Sequence, residues 1–358
     1  MAMSDVHREK WRILRNVSVL GLAFMVQFSA YTGITHLQST VNSSGGLGTA
    51  SLTSVYAGLI FSSVFLSTSV IRWLGCKWTV IAAFIAYMPY IGAQFYPQFS
   101  TMIPTGLLMG LGGGPLWCAK CTYVTVITKT FSEITSVDIE VITVQFFAIF
   151  FTIYIFCHVW GNLVSSLDML HDVSPVAIYC NIRHCEVGNY RVYLQAYVSC
   201  AWGIRNIGYV MICYGVTNAL SAVITGSLVR LTGRVPLVVC ATVLHSGVVV
   251  GLLCWEPRSH DKAMFFVMSG LWGVADGVWQ IQINAMYGVL FPGQEEAAFS
   301  NFKLCTSIGY ILTYSYSSYI CTDVKLYIIS TLMLVGVAGY LLVEWKERNR
   351  TDTRLNKE

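Results

Sequence analysis

Charge is what this sequence has least of. Asp, Glu, Lys and Arg make up 11% of its 358 residues, less than half the share of about 25% in a soluble globular chain. A solvated surface cannot be built from so few charged side chains, so the chain is not expected to be a soluble enzyme. Nucleic acid is not expected as a partner either. The net charge of +4 comes from Lys and Arg at the two ends and in short loops, not from one basic patch. There is no small-residue cleavage site after the first apolar run, hence no pattern of a cleavable signal. P-loop, H-E-x-x-H, G-x-S-x-G and dinucleotide-binding glycine patterns are missing as well. Cys118 and Cys121 form a C-x-x-C, but inside an apolar run with no second pair and no nearby His. No cofactor or metal is expected.

What the chain has is apolar length. Hydrophobic residues reach 55%, and about 20 in a row cross a bilayer as a helix. Ten such spans are legible, approximately 16–34, 52–71, 79–96, 102–127, 141–163, 207–228, 237–255, 264–290, 297–320 and 324–343. The expected fold class is an all-α polytopic membrane bundle whose first partner is the lipid bilayer. With the N-terminus in the cytosol, fourteen Lys and Arg fall in inner segments and five in outer loops. The excess of positive charge inside then places both termini in the cytosol. Two outer-loop features agree with this. The sequon at Asn42 is a glycan acceptor if its loop is long enough, and Cys180 and Cys185 lie in the longest outer loop, where a disulfide can form.

The chain also repeats itself. Arg72, Gly75 and Lys77 follow the second span, and Arg230, Gly233 and Arg234 follow the sixth, each group a basic turn held by a glycine. Gly110-Leu111-Gly112-Gly113-Gly114-Pro115-Leu116-Trp117 resembles the stretch from Gly270 to Trp279 at nearly the same offset. Repeated halves are how many transporter folds are built. If the second and sixth spans are equivalent, a six-plus-six plan lacks two helices near residue 191, and 192–202 is a remnant. The halves then run 1–190 and 191–345, with a cytosolic tail at 346–358.

Polar residues inside spans are the candidate site. Asp276, Gln280 and Asn284 are spaced i, i+4, i+8 on one helix face, and a bare carboxylate at that depth needs a partner or water. Gln27 and Tyr31 begin a similar face, continued by Thr35, in the first span. These stripes face either a cavity, a partner, or simply another helix. Lys120 is read as a partner for Asp276 or as snorkelling to the interface, and Lys303 as a surface ion pair with Glu295 or Glu296. His158 and His245 are read as packing residues.

Several motifs resemble the uncoordinated-93 (Unc-93) family. They include Leu74-Gly75-Cys76-Lys77, Trp160-Gly161-Asn162-Leu163, Ser269 to Asp276 (SGLWGVAD), Tyr287-Gly288-Val289-Leu290-Phe291 and Glu296-Ala297-Ala298-Phe299. The resemblance covers roughly residues 14–345 and implies a major-facilitator-like fold of twelve helices, two more than are seen here. It implies a regulatory subunit of a two-pore potassium channel complex, or an escort for receptors, in the plasma membrane or else the endoplasmic reticulum or endosomes. A secondary transporter and an inactive shortened isoform are the competing readings. The general major-facilitator loop motif has an Asp where Arg72 and Arg230 stand, so its gating charge pair is expected to be missing.

Overall fold

A computed structural model describes residues 3–41, 46–172, 197–198, 201–203, 206–255, 257–258, 260–317, 320 and 322–355. Among them are ten long helices: α1 Met3–Val41, α2 Leu47–Phe65, α3 Ser67–Ala93, α4 Phe99–Thr135, α5 Ile139–Asp172, α6 Ile207–Thr232, α7 Arg234–Cys254, α8 Lys262–Leu290, α9 Glu295–Ser317 and α10 Thr322–Leu355. Each expected span lies within or across one of them. The ends differ. α1 continues back through the basic start of the chain, and α10 runs on to Leu355, so most of the expected tail is helix.

Seven helices are long and apolar enough to cross a membrane by themselves. The others, α4, α8 and α9, are more polar. α4 and α8 bury much of their length, so their glycines and polar side chains meet neighbouring helices instead of lipid.

The two repeated turns are alike in backbone as well as in sequence. Gly75 has φ 73°, ψ 162° and Gly233 has φ 74°, ψ −173°. This region is open essentially only to glycine. It kinks α3 at the first turn and separates α6 from α7 at the second.

Packing follows the same duplication. α4 lies along α2 and α3, and α8 lies along α6 and α7. Both crossings depend on absent side chains. A Cβ at Gly110 would sit 2.1 Å from the Val55 carbonyl oxygen of α2, and one at Gly273 would sit 2.5 Å from the Tyr214 carbonyl oxygen of α6. The halves meet where α5 lies on α6 and where α9 lies on α2, the same contact seen from the two sides of the repeat. α5 is also covered by α1. Its counterpart α9 has no equivalent neighbour among the described residues, and Ile308 and Leu312 are exposed.

The first half is centred on Phe24. Its ring is fully buried and meets Phe28, Phe84, Trp117, Phe150 and Tyr154 at centroid distances of 5.2–6.3 Å. Of the stretch expected as a remnant, Tyr197 and Val198 are helical and buried. The Tyr197 hydroxyl donates to the Leu252 carbonyl at 3.2 Å.

Candidate functional site

Asp276 is the centre of a hydrogen-bonded knot inside the second half. Its Oδ2 accepts from the Tyr214 hydroxyl at 2.6 Å, from Asn218 Nδ2 at 2.9 Å and from Gln280 Nε2. Three donors on one oxygen satisfy the carboxyl group in place of water. Gln280 is one turn along α8, and Asn284 Nδ2 donates to its carbonyl at 2.7 Å. The Cys121 thiol donates to Asn284 Oδ1 at 3.1 Å, which ties the stripe to α4. Tyr214 and Asn218 were not singled out from sequence. The signal was there: Tyr214, Asn218, Ser221 and Thr225 recur at i, i+4, i+7, i+11 within an apolar span.

Asp276 also borders a cavity of about 450 Å³ between α7, α8, α9 and α10, with His245, Trp279, Tyr287, Phe302 and Tyr340 in its wall. The His245 ring packs edge-on against Trp272 at 4.4 Å, and neither ring nitrogen has a hydrogen-bond partner among the described residues. His158 stands edge-on to Tyr214 at 5.6 Å.

Lys120 does not reach Asp276, nor does it snorkel to an interface. It is 1% exposed, and its Nζ lies 4.6 Å from the ring centres of both Phe150 and Phe151, 5.3 Å from Trp117 and 5.5 Å from Phe147. Asp276 is already satisfied by uncharged donors, and the aromatic rings of α5 lie closer to the lysine stem. Lys303 is not a surface ion pair. Its Nζ turns inward to 4.2 Å from the Trp117 ring centre. The acids expected for it are taken: Glu295 by Lys129 and Glu296 by Arg72. Gln27 is buried with its Nε2 unpartnered among the described residues, and Tyr31 packs against Phe28, Tyr87 and Tyr90. Gln27 and Tyr31 therefore sit in the first half, apart from the Asp276 knot. Asn42, Cys180 and Cys185 lie outside the described residues.

The end of the bundle that carries the basic turns is laced with charge pairs. Arg72 Nε meets Glu296 Oε2 at 3.2 Å, and Lys129 meets Glu295. Arg230 Nη2 donates to Gln145 Oε1 at 2.9 Å. Arg234, largely buried, meets Glu140 and Glu344, each at 3.2 Å. The loss of the loop Asp therefore does not leave this end unlatched. Arginine takes its position, and the partner from the opposite half is Glu296 in one case and Gln145 in the other. Burial alone would raise the Glu295 carboxyl. The Lys129 ammonium and the Gly293 N–H at 3.0 Å outweigh it and hold the group below its usual value. Lys77 caps the neighbouring Trp78 ring.

The chain is similar to several known proteins. Residues 201–341 match a family model described as "Ion channel regulatory protein UNC-93". "Protein unc-93 homolog A" of Xenopus laevis is 33% identical, with 93% of this chain and 94% of that protein covered. The chain belongs to the Unc-93 family. The human "Protein unc-93 homolog A" is 34% identical over 94% of each chain. The Caenorhabditis elegans protein unc-93, named for potassium channel regulation, is 26% identical over 94% of this chain and 61% of its own length. The alignment with the Xenopus protein runs over 430 positions against 358 residues here. That relative thus carries a surplus long enough for two spans and a loop.

Among solved structures, the human organic anion transporter MFSD10 is similar, with a TM-score of 0.62 at 12% identity, covering 91% of this chain and 98% of that one. A bacterial homologue of the iron transporter ferroportin gives 0.57 at 14% identity, covering 94% and 100%. The chain therefore has the major-facilitator-like fold, as an integral membrane protein of the Unc-93 family.

Proposed function

We propose that this protein is a non-enzymatic regulatory subunit of an ion channel complex, with a two-pore potassium channel as the partner. In this reading it lies in the plasma membrane with the basic end and both termini in the cytosol. The family description and the nematode relative's name support the class of role. The observation that carries the reading is the flank of α9, where Ile308 and Leu312 are exposed at the place corresponding to the α1 cover of α5. A transmembrane helix of a partner fits such a flank, because packing between helices in lipid needs only close apolar contact. In this reading the chain lacks the sixth and seventh helices of a six-plus-six plan, and the described residues place no helix on that flank.

Cysteine at Leu312 should cross-link to the co-expressed channel, and channel current should change when the two are expressed together. Absence of both a cross-linked product and a current change at confirmed surface expression would falsify this reading. Retention in the endoplasmic reticulum would favour the inactive isoform instead. A secondary transporter is the second reading, favoured by the Asp276 cavity and the charge pairs between halves. Solute uptake into vesicles that is abolished by Asp276→Asn would select it over the regulatory role.

A further inference from the structure

One wall of the cavity in the second half has a filled counterpart in the first. His245 follows Tyr87 by the same interval as Arg230 follows Arg72, and Trp279 matches Trp117 in the repeated glycine-rich stretch. In the first half the buried Phe28 ring of α1 occupies the space beside that pair, 5.5 Å from the Tyr87 ring and 5.2 Å from the Trp117 ring. Among the described residues the second half has no helix matching α1. His245 and Trp279 instead border about 450 Å³ of open space, a size within the range of small-molecule pockets. Its lining belongs to α7, α8, α9 and α10, so the space is not the cleft between the halves.

The wall is mostly apolar and carries one acid. Trp279, Tyr287, Phe302 and Tyr340 contribute rings, and among the described residues no Lys or Arg borders the space. The acid is Asp276, and its three donors all meet Oδ2. Its Oδ1 takes no hydrogen bond among the described residues and is not one of the buried orphan atoms, so it keeps accessible surface. An N–H of an amine on that oxygen makes a charge-assisted hydrogen bond, about twice as strong as one from a neutral alcohol. The pair is ammonium and carboxylate whichever partner supplies the proton. Ring faces attract a cation, whereas a second carboxylate would meet Asp276 as a like charge.

We propose that the cavity beside Asp276 is a binding site for an organic amine with an aromatic body of one or two rings. The amine meets Asp276 Oδ1, and the rings fill the counterpart of the space that Phe28 fills in the first half. The site requires neither the regulatory role nor transport. Binding is measured without channel or uptake, so its failure is distinct from the failure of either.

The test uses the full-length protein in nanodiscs of zwitterionic lipid, with the signal of empty nanodiscs subtracted to remove partitioning. Calorimetric titration with naphthylethylamine should show saturable binding, with naphthylethanol and naphthylpropionate at least tenfold weaker. Asp276→Asn keeps an acceptor for the knot and should weaken the amine at least tenfold while leaving the alcohol unchanged. Gly336 lines the cavity, and a Cβ there meets nothing within 4 Å, so Gly336→Leu should fill the space and abolish amine binding. Leu332→Ala, exposed on α10 and outside the wall, should leave binding unchanged. If Asp276→Asn does not fold, the loss in Gly336→Leu and the preference for amine over alcohol decide together. No saturable amine binding to the unmodified protein, or undiminished binding by either folded cavity variant, overturns the proposal. So does the alcohol or the acid binding as tightly as the amine.

Discussion

The two halves share a plan but are stabilised by different means. The first five helices close around stacked and edge-on aromatic rings, with Phe24, Phe147 and Phe150 fully buried. The last five cross on small residues and polar contacts: the Asp276 knot, the Ser269 hydroxyl on the Val210 carbonyl at 2.8 Å and the Ser221 hydroxyl on the Val274 carbonyl at 2.7 Å. They also border the 450 Å³ cavity, and only 11% of the most apolar stretch of α10 is buried. A duplicated sequence can thus preserve its turns and crossings while its two cores diverge. What the halves have in common is backbone geometry. What separates them is how much side-chain volume fills the space between helices.

The largest expected effect tests the aromatic core. Phe24→Ala should destabilise the protein by about 3–5 kcal/mol, as large-to-small changes in filled cores do, and lower the unfolding temperature in detergent. Leu332→Ala, on an exposed part of α10, should leave that temperature nearly unchanged. Equal losses at both sites would erase the contrast between the halves.

Next comes the polar core. Asp276→Leu strands the donors of Tyr214, Asn218 and Gln280, and about 1–3 kcal/mol should be lost. Asp276→Asn keeps an acceptor and should lose less. A loss no greater for Leu than for Asn would show that the knot contributes no stability.

The cavity offers a smaller effect of opposite sign. A Cβ at Gly336 meets nothing within 4 Å, so Gly336→Ala should stabilise α10 by roughly 0.5–1 kcal/mol through helix propensity. In the first half, Gly110→Ala should destabilise, because its Cβ meets backbone at 2.1 Å. Two changes of the same sign would mean that both halves are equally full.

The smallest effects belong to the charged end. Glu296→Ala removes an exposed pair with Arg72 and should cost under about 1 kcal/mol, less in high salt. Glu295 has a lowered carboxyl pKa in the folded chain. Its contribution is therefore fully present above the unfolded value, near 4.5, and lost as pH falls through the folded value. Stability followed from pH 7 to pH 3 should lose this contribution below pH 4.5 in the parent and not in Glu295→Gln.

Much of the site was legible, but unevenly. Asp276, Gln280 and Asn284 are linked by hydrogen bonds along α8 because one-turn spacing is set by the helix itself. The equivalence of Gly75 and Gly233 was visible because only glycine serves that turn. Lys120 and Lys303 were misplaced. A lysine stem reaches in several directions, and the choice between water, an acid and an aromatic face depends on neighbours on other helices, such as Phe150 for Lys120 and Trp117 for Lys303. Arg72 shows the same limit: its acidic partner lies 224 positions along the chain.

The residues taken one at a time determined the medium, the ten helices and the duplicated turns, because hydropathy and glycine geometry are local properties. Only the folded bundle decided that Lys120 and Lys303 both approach the Trp117 ring and that Asp276 accepts from Tyr214 and Asn218. It also decided that Arg72 and Arg230 find Glu296 and Gln145 of the opposite half. Those outcomes depend on which helix faces stand within a few ångströms of each other, and interactions between charges and dipoles are decided at that distance.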